Sequence, residues 1–275
     1  MGKLFFVPVG GLANRMRAMA SACTLAKKVG EAVSVVWFKD RALNAPFDAL
    51  FQPVDWDGLS VREAAFYDYW TFDRPRKKNL FIPRFFQRIL FDDCLYEKQI
   101  TQLCKQNFDF GRWARQGEVY LASYSDFQKY DYALLRKLFV PRQDMDREIV
   151  SFTRRFSPHT VGIHIRRTDN AASIRQSPTR LFVEAVDAEI EKNPDTVIFL
   201  ATDSEAVKNE IRSRYGDRVL TAKEKAGRNS IAGVKGGIVD MFTLSKTNKI
   251  YGSFQSSFSE LASQIGNVPL EILQK

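Results

Sequence analysis

The stretch KLFFVPVGGLANRMRAMASACTLAKKVGEAVSVVWF, Lys3 to Phe38, is the one from which the fold class is read. Lys3 to Val9 is a short apolar run that ends at Gly10-Gly11, the pattern of a buried strand entering a tight turn. Leu12 to Val29 is rich in Ala, Met and Leu, and Gly30 follows it as a C-cap. Ala32 to Phe38 is a second apolar, β-branched run. Strand, helix and strand in this order open a βαβ unit and predict a parallel sheet.

The alternation resumes further along. Glu118 to Ser123 reads as a later strand of the same half, whereas residues 60–115 are aromatic and basic with poor periodicity and predict short helices and loops. Pro141 to Met145 is polar and marked by proline, as a linker would be. Strands are expected at Thr160 to Arg167, Thr196 to Ala201, Arg218 to Thr221, Lys249 to Tyr251 and Pro269 to Ile272. Helices are expected from Ser177-Pro178 to about Lys192, after a Thr202-x-x-Glu205 capping box, over Val234 to Lys246 and over Ser257 to Ile265. The expectation is an α/β protein with two Rossmann-like domains, residues 1–142 and 143–275, whose parallel sheets face a cleft.

The 275 residues are 45% hydrophobic and carry a net charge of +9, which excludes a largely disordered chain and points to an anionic partner. Three scattered cysteines and two histidines argue against a disulfide scaffold, a zinc module or a His-rich metal site. With no apolar run of membrane-spanning length and a start that reads as a strand, a cytoplasmic location is expected. Residues 74–91, RPRKKNLFIPRFFQRILF, hold Arg74, Arg76, Lys77, Lys78, Arg84 and Arg88 and no acid, so most of the excess charge sits there.

VGIHIRRTD, Val161 to Asp169, carries the strongest chemical signal. In open parallel sheets ligands bind beyond the carboxyl ends of strands, and this strand ends in His164, Arg166, Arg167 and Asp169. Side chains alternate along a strand, so both arginines reach one ligand only if the chain turns after Arg167. Paired guanidiniums suit a diphosphate; the bland reading is that they pair with surface acids. Ser256 and Ser257 stand at a strand-to-helix turn, where hydroxyls and free N–H groups hold phosphate or merely cap the helix. Gly10, Gly11, Asn14 and Arg15 form a glycine turn at a helix start, again an anion-favouring place. This turn lacks the GxGxxG spacing of an NAD site, and the chain has no Walker A sequence. Asp55-Trp56-Asp57 and Asp144-Met145-Asp146 are formal DxD triplets, but neither follows a convincing strand, so no metal site is expected.

HIRRTD resembles the His-x-Arg-Arg-x-Asp motif of the superfamily of α1,2-, α1,6- and protein O-fucosyltransferases. Gly10 to Ala22 resembles the glycine-loop-to-helix segment of those enzymes, Phe199 to Glu205 (FLATDSE) their second motif, and Gly236 to Ser263 their third. The four blocks occur in family order. The resemblance implies a bacterial member with a GT-B fold, an inverting transfer from GDP-fucose, and no metal or other cofactor. It implies Arg166 on the β-phosphate as the catalytic group, with Arg167 in a phosphate-binding or structural role. His164 is then either a donor contact or a satisfied strand histidine. Asp169 fixes the loop or an arginine, Asp203 binds near the donor or caps a helix, and Asp240 reads guanine unless it is merely an acid on a solvated helix face.

The Lys and Glu that α1,6-type relatives carry after the motif fall on Asn170 and Ile174 here, so the resemblance assigns no catalytic base; either Asp40 or Asp126 serves, or none is needed because a phosphate oxygen takes the proton in a strongly dissociative transition state. The acceptor is expected to be a glycan or lipid-linked glycan in surface polysaccharide assembly. The alternative is a non-catalytic nucleotide-sugar or glycan binder on the same fold. A nucleic-acid partner is not expected, because the basic residues are not interleaved as a stacking platform. Three readings stand for 74–91: a solvated basic face over a local core, a lid or acceptor-binding helix, or a surface helix at the inner membrane, with Phe81, Ile82, Phe85, Phe86, Ile89 and Leu90 on one face.

Overall fold

A computed structural model describes residues 3–168, 170–222 and 226–275. The chain forms two compact units, Met1–Val140 and Pro141–Lys275.

The first unit contains β1 (Lys3–Pro8), α1 (Leu12–Val29), β2 (Ala32–Trp37), β3 (Leu59–Glu63), α2 (Asp68–Thr71), α3 (Pro83–Leu90), β4 (Asp93–Leu95), α4 (Glu97–Lys105), α5 (Phe110–Ala114), β5 (Glu118–Ser123) and α6 (Ala133–Leu138). Its five strands run in the order β3-β2-β1-β5-β4, all parallel. The opening βαβ unit is present as expected, and Gly30 closes α1 in the left-handed region at φ 76°, where a Cβ would be strained. Strands β3 and β4 lie inside the stretch expected to hold only helices and loops. They are edge strands of five and three residues, too short and too half-exposed to leave an apolar run in the sequence.

The second unit contains α7 (Gln143–Thr153), β6 (Thr160–Ile165), α8 (Ala171–Gln176), α9 (Thr179–Lys192), β7 (Val197–Thr202), α10 (Glu205–Tyr215), β8 (Val219–Leu220), α11 (Ile231–Leu244), β9 (Lys249–Ser253), α12 (Ser257–Gly266) and β10 (Leu270–Leu273). Its parallel sheet has the order β10-β9-β6-β7-β8. Strand β6 is central and fully buried, and Ile163, Ile165, Phe182, Ile198, Leu200 and Ile211 pack its core. Both sheets are doubly wound, the α/β class expected.

Several local expectations are corrected. The Pro141–Met145 stretch is helical from Gln143, because the acids Asp144 and Asp146 favour a first helical turn. Ser177 does not cap α9 with its hydroxyl, which donates instead to Leu273 O (2.5 Å) while accepting from Phe254 N (2.8 Å). The cap of α10 is Ser204 rather than Thr202, since Thr202 is still strand and donates to Ile165 O at 2.7 Å. Among the described residues no helix is long and apolar enough to cross a membrane.

Candidate donor site at the second sheet

Strand β6 lies between β7 and β9, and the connections leave it in opposite directions on the two sides. That reversal of strand order is where open α/β sheets bind ligands, beyond the carboxyl ends. The strand ends at Ile165, so Arg166 and Arg167 stand just past it, in the connection that leads to α8.

Three anchors shape this connection. Ser253, fully buried at the end of β9, donates from Oγ to His164 O (3.0 Å) and accepts from Arg166 N (3.1 Å). Asp203, just past β7, accepts from Arg167 N (2.7 Å), Thr168 N (3.2 Å) and Thr168 Oγ1 (2.6 Å). Asp203 is therefore the clasp of the arginine loop and not a helix cap. The third anchor is Arg167 itself. Its guanidinium donates to Arg166 O (2.8 Å), Ser177 O (2.9 Å) and Thr179 Oγ1 (3.0 Å), tying the loop to the start of α9. Burial lowers its pKa, opposed by Asp203 and Glu210. Both adjacent arginines are half-buried; the Arg167 guanidinium is engaged on protein oxygens, and the Arg166 backbone is pinned from both sides.

His164 lies beneath this loop. Its ring stacks on Phe258 at 4.7 Å, and Nδ1 lies 3.3 Å from Ser256 Oγ. Burial, followed by the Arg166 charge, pushes the imidazole down to about 4, with Asp203 pulling the other way, so the ring is neutral near pH 7. It has the contacts of a satisfied strand histidine and also joins β6 to the start of α12. Ser256 stands at the N-cap of α12 without a side-chain capping bond, and Ser257 is the first helical residue. The helix start therefore keeps N–H groups that no cap occupies, the arrangement that favours an anion. Gly252 lets α12 come this close: a Cβ there would meet Ser259 Oγ at 2.6 Å.

Asp240 has other neighbours. It lies within α11, 4% exposed, and its Oδ1 has no hydrogen-bond partner among the described residues. Burial drives its carboxyl well above the usual range; Glu148 adds to this and the buried Lys208 opposes it. Lys208 bonds Ala222 O at 3.2 Å and pairs with Glu205 at 3.1 Å. Asp169 lies outside the described residues. Asn170 caps α8 by accepting from Ser173 N at 3.0 Å, and Ile174 is 38% exposed.

The first sheet places Gly10, Gly11 and Asn14 beyond β1. Gly10 is left-handed at φ 88°, and a Cβ there would come within 3.2 Å of Asn14 Nδ2. No side chain caps α1. Arg15 points inward. Fully buried, it donates to Gly10 O (2.8 Å), Phe38 O (2.5 Å) and Asp40 Oδ1 (3.0 Å), with its guanidinium 5.0 Å from the Trp37 ring. Burial lowers its pKa to about 10. Asp40 is tied down in turn by Ala42 N and Leu43 N, with Arg76 and Arg74 at 3.9 and 4.0 Å. Asp126 is 53% exposed and pairs with Arg17 at 3.7 Å. A cavity of 630 Å³ opens elsewhere in this unit, beside α3, and none of the expected donor residues line it.

Among the described residues no group of three or more His, Cys, Asp or Glu is placed to hold a metal ion. Asp144 of the second DxD triplet pairs with Lys235 at 2.5 Å.

Ser253 and Lys208 are the site residues that the sequence reading did not single out. Ser253 had a signal, a serine ending an apolar strand inside the stretch that resembles the third motif. Lys208 had only its i, i+3 spacing from Glu205.

No family model matches the chain, and no curated protein matches it. Solved structures do. NodZ α-1,6-fucosyltransferase soaked with GDP-fucose superposes at a TM-score of 0.67, with 19% identity over 98% of this chain and 94% of that one. NodZ from Bradyrhizobium without a named ligand gives 0.63 at 18%, covering 95% and 93%. FUT1 of Arabidopsis thaliana in complex with GDP gives 0.64 at 14%, covering 99% of this chain and 70% of that one. POFUT1 in complex with GDP gives 0.59 at 10%, covering 99% and 98%. The resemblance read from four sequence blocks and these likenesses agree on one architecture: the chain has the two-sheet α/β fold, GT-B, that these fucosyltransferases share.

Proposed function

We propose that the chain is an inverting glycosyltransferase that transfers fucose from GDP-fucose to a glycan or lipid-linked glycan during surface polysaccharide assembly, at the cytoplasmic side and without a metal cofactor. The observation that carries this reading is Arg166, held past the central strand by Ser253 on one side and by the Asp203–Arg167 clasp on the other.

In the transfer, an acceptor hydroxyl bonds to fucose C1 while the bond from C1 to the β-phosphate oxygen breaks. The electron pair goes to that oxygen, charge grows on the departing GDP, and the acceptor's hydroxyl proton passes to a phosphate oxygen of the leaving group. A preorganised guanidinium meets this charge in place, with no reorganisation during the step. The uncapped start of α12, with Ser256 and Ser257, supplies N–H and hydroxyl donors to the same diphosphate. The assignment of Asp240 to guanine accounts for its orphaned Oδ1, because guanine N1–H and the exocyclic amine are the donors such an acceptor lacks. Gly10, Gly11 and Asn14 are assigned to the donor in the same reading, whereas the contacts of Arg15 favour a purely architectural role.

The solved structures that match include complexes with GDP and with GDP-fucose, which supports the choice of donor. Thermal denaturation with GDP, UDP, ADP and CMP tests it. A ligand at about 100 times its dissociation constant stabilises by roughly 2.7 kcal/mol. GDP is expected to give the largest rise, and Arg166→Ala is expected to fold but lose it. A preference for UDP would overturn the Asp240 assignment.

The second reading, a binder that does not catalyse, is favoured by one observation: Asn170 is spent on capping α8 where α1,6-type relatives carry an acceptor-side lysine. GDP-fucose binding with neither hydrolysis nor transfer across a glycan panel would support it.

A further inference from the structure

Helix α3 is inside out. Its buried positions are Pro83 and Gln87, one turn apart. Gln87 is fully buried and fully satisfied: Nε2 donates to Thr71 O (3.0 Å) and Asp73 O (2.9 Å), and Oε1 accepts from Tyr96 OH (2.8 Å). The apolar residues face outward instead. Phe85 is 65% exposed, Ile89 69%, Leu90 46% and Phe86 38%. This excludes the expected local core beneath a basic face, because the side chains that would form the core are the ones in solvent.

The segment before the helix continues the pattern. Leu80 and Phe81 both have left-handed backbones, φ 50° and 58°, a region that bulky L residues avoid. Asn79 holds them there, bonding Asp73 Oδ2, Arg74 O and Arg76 N, while Phe81 N donates to Arg76 O. The result is that Leu80 is 74% exposed and Phe81 52%. Helix α2, which packs against α3, carries the exposed Trp70 (39%) and follows two further exposed aromatics, Phe66 (84%) and Tyr67 (61%).

The cations of this stretch divide in two. Arg74 and Arg76 turn inward to Glu97 (3.0 Å) and Asp73 (2.6 Å). Lys77, Lys78, Arg84 and Arg88 are exposed and have no ion pair among the described residues. The acids that line one cavity with Arg84 and Arg88 are occupied: Asp93 accepts from Cys94 N and Trp113 Nε1, Asp92 from Glu118 N, and Glu97 pairs with Arg74.

We propose that residues 66–91 form a docking surface for an anionic phospholipid bilayer, with the Phe, Leu and Ile side chains entering the headgroup boundary and Lys77, Lys78, Arg84 and Arg88 meeting lipid phosphates. Bulky apolar groups interleaved with lysines and arginines are the composition of interfacial helices, and aromatic side chains favour the same depth. Charge argues against a second copy of the chain, since a self-complementary contact would set four unpaired cations against four more. The aliphatic Leu80, Ile89 and Leu90 offer a sugar neither a flat ring nor a hydrogen bond. The surface belongs to the first unit and does not depend on the donor reading, so a failed GDP shift and a failed membrane test are separate results.

Flotation of the full chain with vesicles of phosphatidylcholine plus phosphatidylglycerol, and of phosphatidylcholine alone, tests the proposal. Wild type is expected to float with the anionic vesicles, less so as salt rises. Each cation near an anionic surface contributes enough that Arg84→Glu/Arg88→Glu should weaken binding about tenfold or more. Phe85→Ser/Ile89→Ser should weaken it to a similar degree, and Arg180→Glu, on α9, should not. Because all four of the altered α3 positions are exposed, unchanged circular dichroism will show that the variants fold. Equal flotation of wild type and both double variants would overturn the proposal, as would absence of wild-type flotation. So would a concentration-dependent dimer, seen by light scattering, that Phe85→Ser/Ile89→Ser abolishes without any effect on flotation.

Discussion

Both sheets end in an arginine behind a tight turn, yet the two arginines are spent differently. Arg15 in the first unit is fully buried, and its donors go to Gly10 O, Phe38 O and Asp40. Arg166 in the second unit is half-buried and its backbone is held by Ser253 and by Arg167, whose own guanidinium ties the loop to the start of α9. The comparison teaches that an arginine past a strand end is neither a ligand group nor a rivet by type. For Arg15 and Arg167 the role follows from the protein oxygens that packing brings within reach of the fork.

Breaking the rivet should have the largest effect. Arg15→Ala leaves Asp40, whose side chain is 8% exposed, without its closest cation. The expected cost is about 3–5 kcal/mol in urea unfolding, and Arg15→Lys should rescue little, because one ammonium cannot serve three separated acceptors. A loss below about 1 kcal/mol would show that Arg15 is not a rivet of the first unit.

Arg166→Ala should do the reverse. Transfer from GDP-fucose should fall by about 10²–10³, or roughly 2.7–4 kcal/mol of barrier, with little change in unfolding midpoint. Loss of stability without loss of transfer would make the two arginines alike after all.

A third test concerns acid. The folded His164 is pushed down to about 4 from an ordinary 6.5. As pH falls through about 6.5, the unfolded chain takes up a proton that the folded chain refuses until about 4. The histidine therefore favours folding fully above 6.5 and ever less on acidification towards 4, with a slope of up to about 1.4 kcal/mol per pH unit. Asp240, raised instead, contributes with the opposite sign, being best tolerated at low pH. Stability profiles of wild type and His164→Asn should thus diverge between pH 6.5 and 4. Parallel profiles would show that the ring is not protected by the site. The smallest effect is expected for Ser256→Ala, about 0.5–1.5 kcal/mol of stability through the lost contact to His164 Nδ1, measured in urea at neutral pH.

Legibility followed burial and periodicity. Strands β1, β2, β5, β6, β7 and β9 are mostly buried and announced themselves as apolar runs, as did α1 between its glycines. The edge strands β3 and β4 did not, since a half-exposed five- or three-residue strand carries no distinct pattern. Helix α3 misled because its apolar spacing looks like a face turned to a core, whereas Gln87 is the residue that turns inward. At the second sheet, the presence of His164, Arg166, Arg167, Asp203 and Ser256 could be read in the sequence. That Arg167 ties the loop down could not, because that depends on Ser177, Thr179 and Ser253 arriving from elsewhere in the chain.

The sequence by itself determined that this is a doubly wound α/β chain, that its excess charge is concentrated in residues 74–91, and that HIRRTD ends a buried strand. These are local properties: period, composition and the order of residues along one element. The tertiary structure alone decided that Arg15 and Arg167 are consumed by the fold, that Ser253 and Asp203 set the arginine loop, and that Leu80, Phe81, Phe85, Phe86, Ile89 and Leu90 face outward. Each of those depends on hydrogen-bond partners supplied by other elements. A polar group's role is set by which acceptors packing brings within 3 Å, and no pattern within a single segment carries that information.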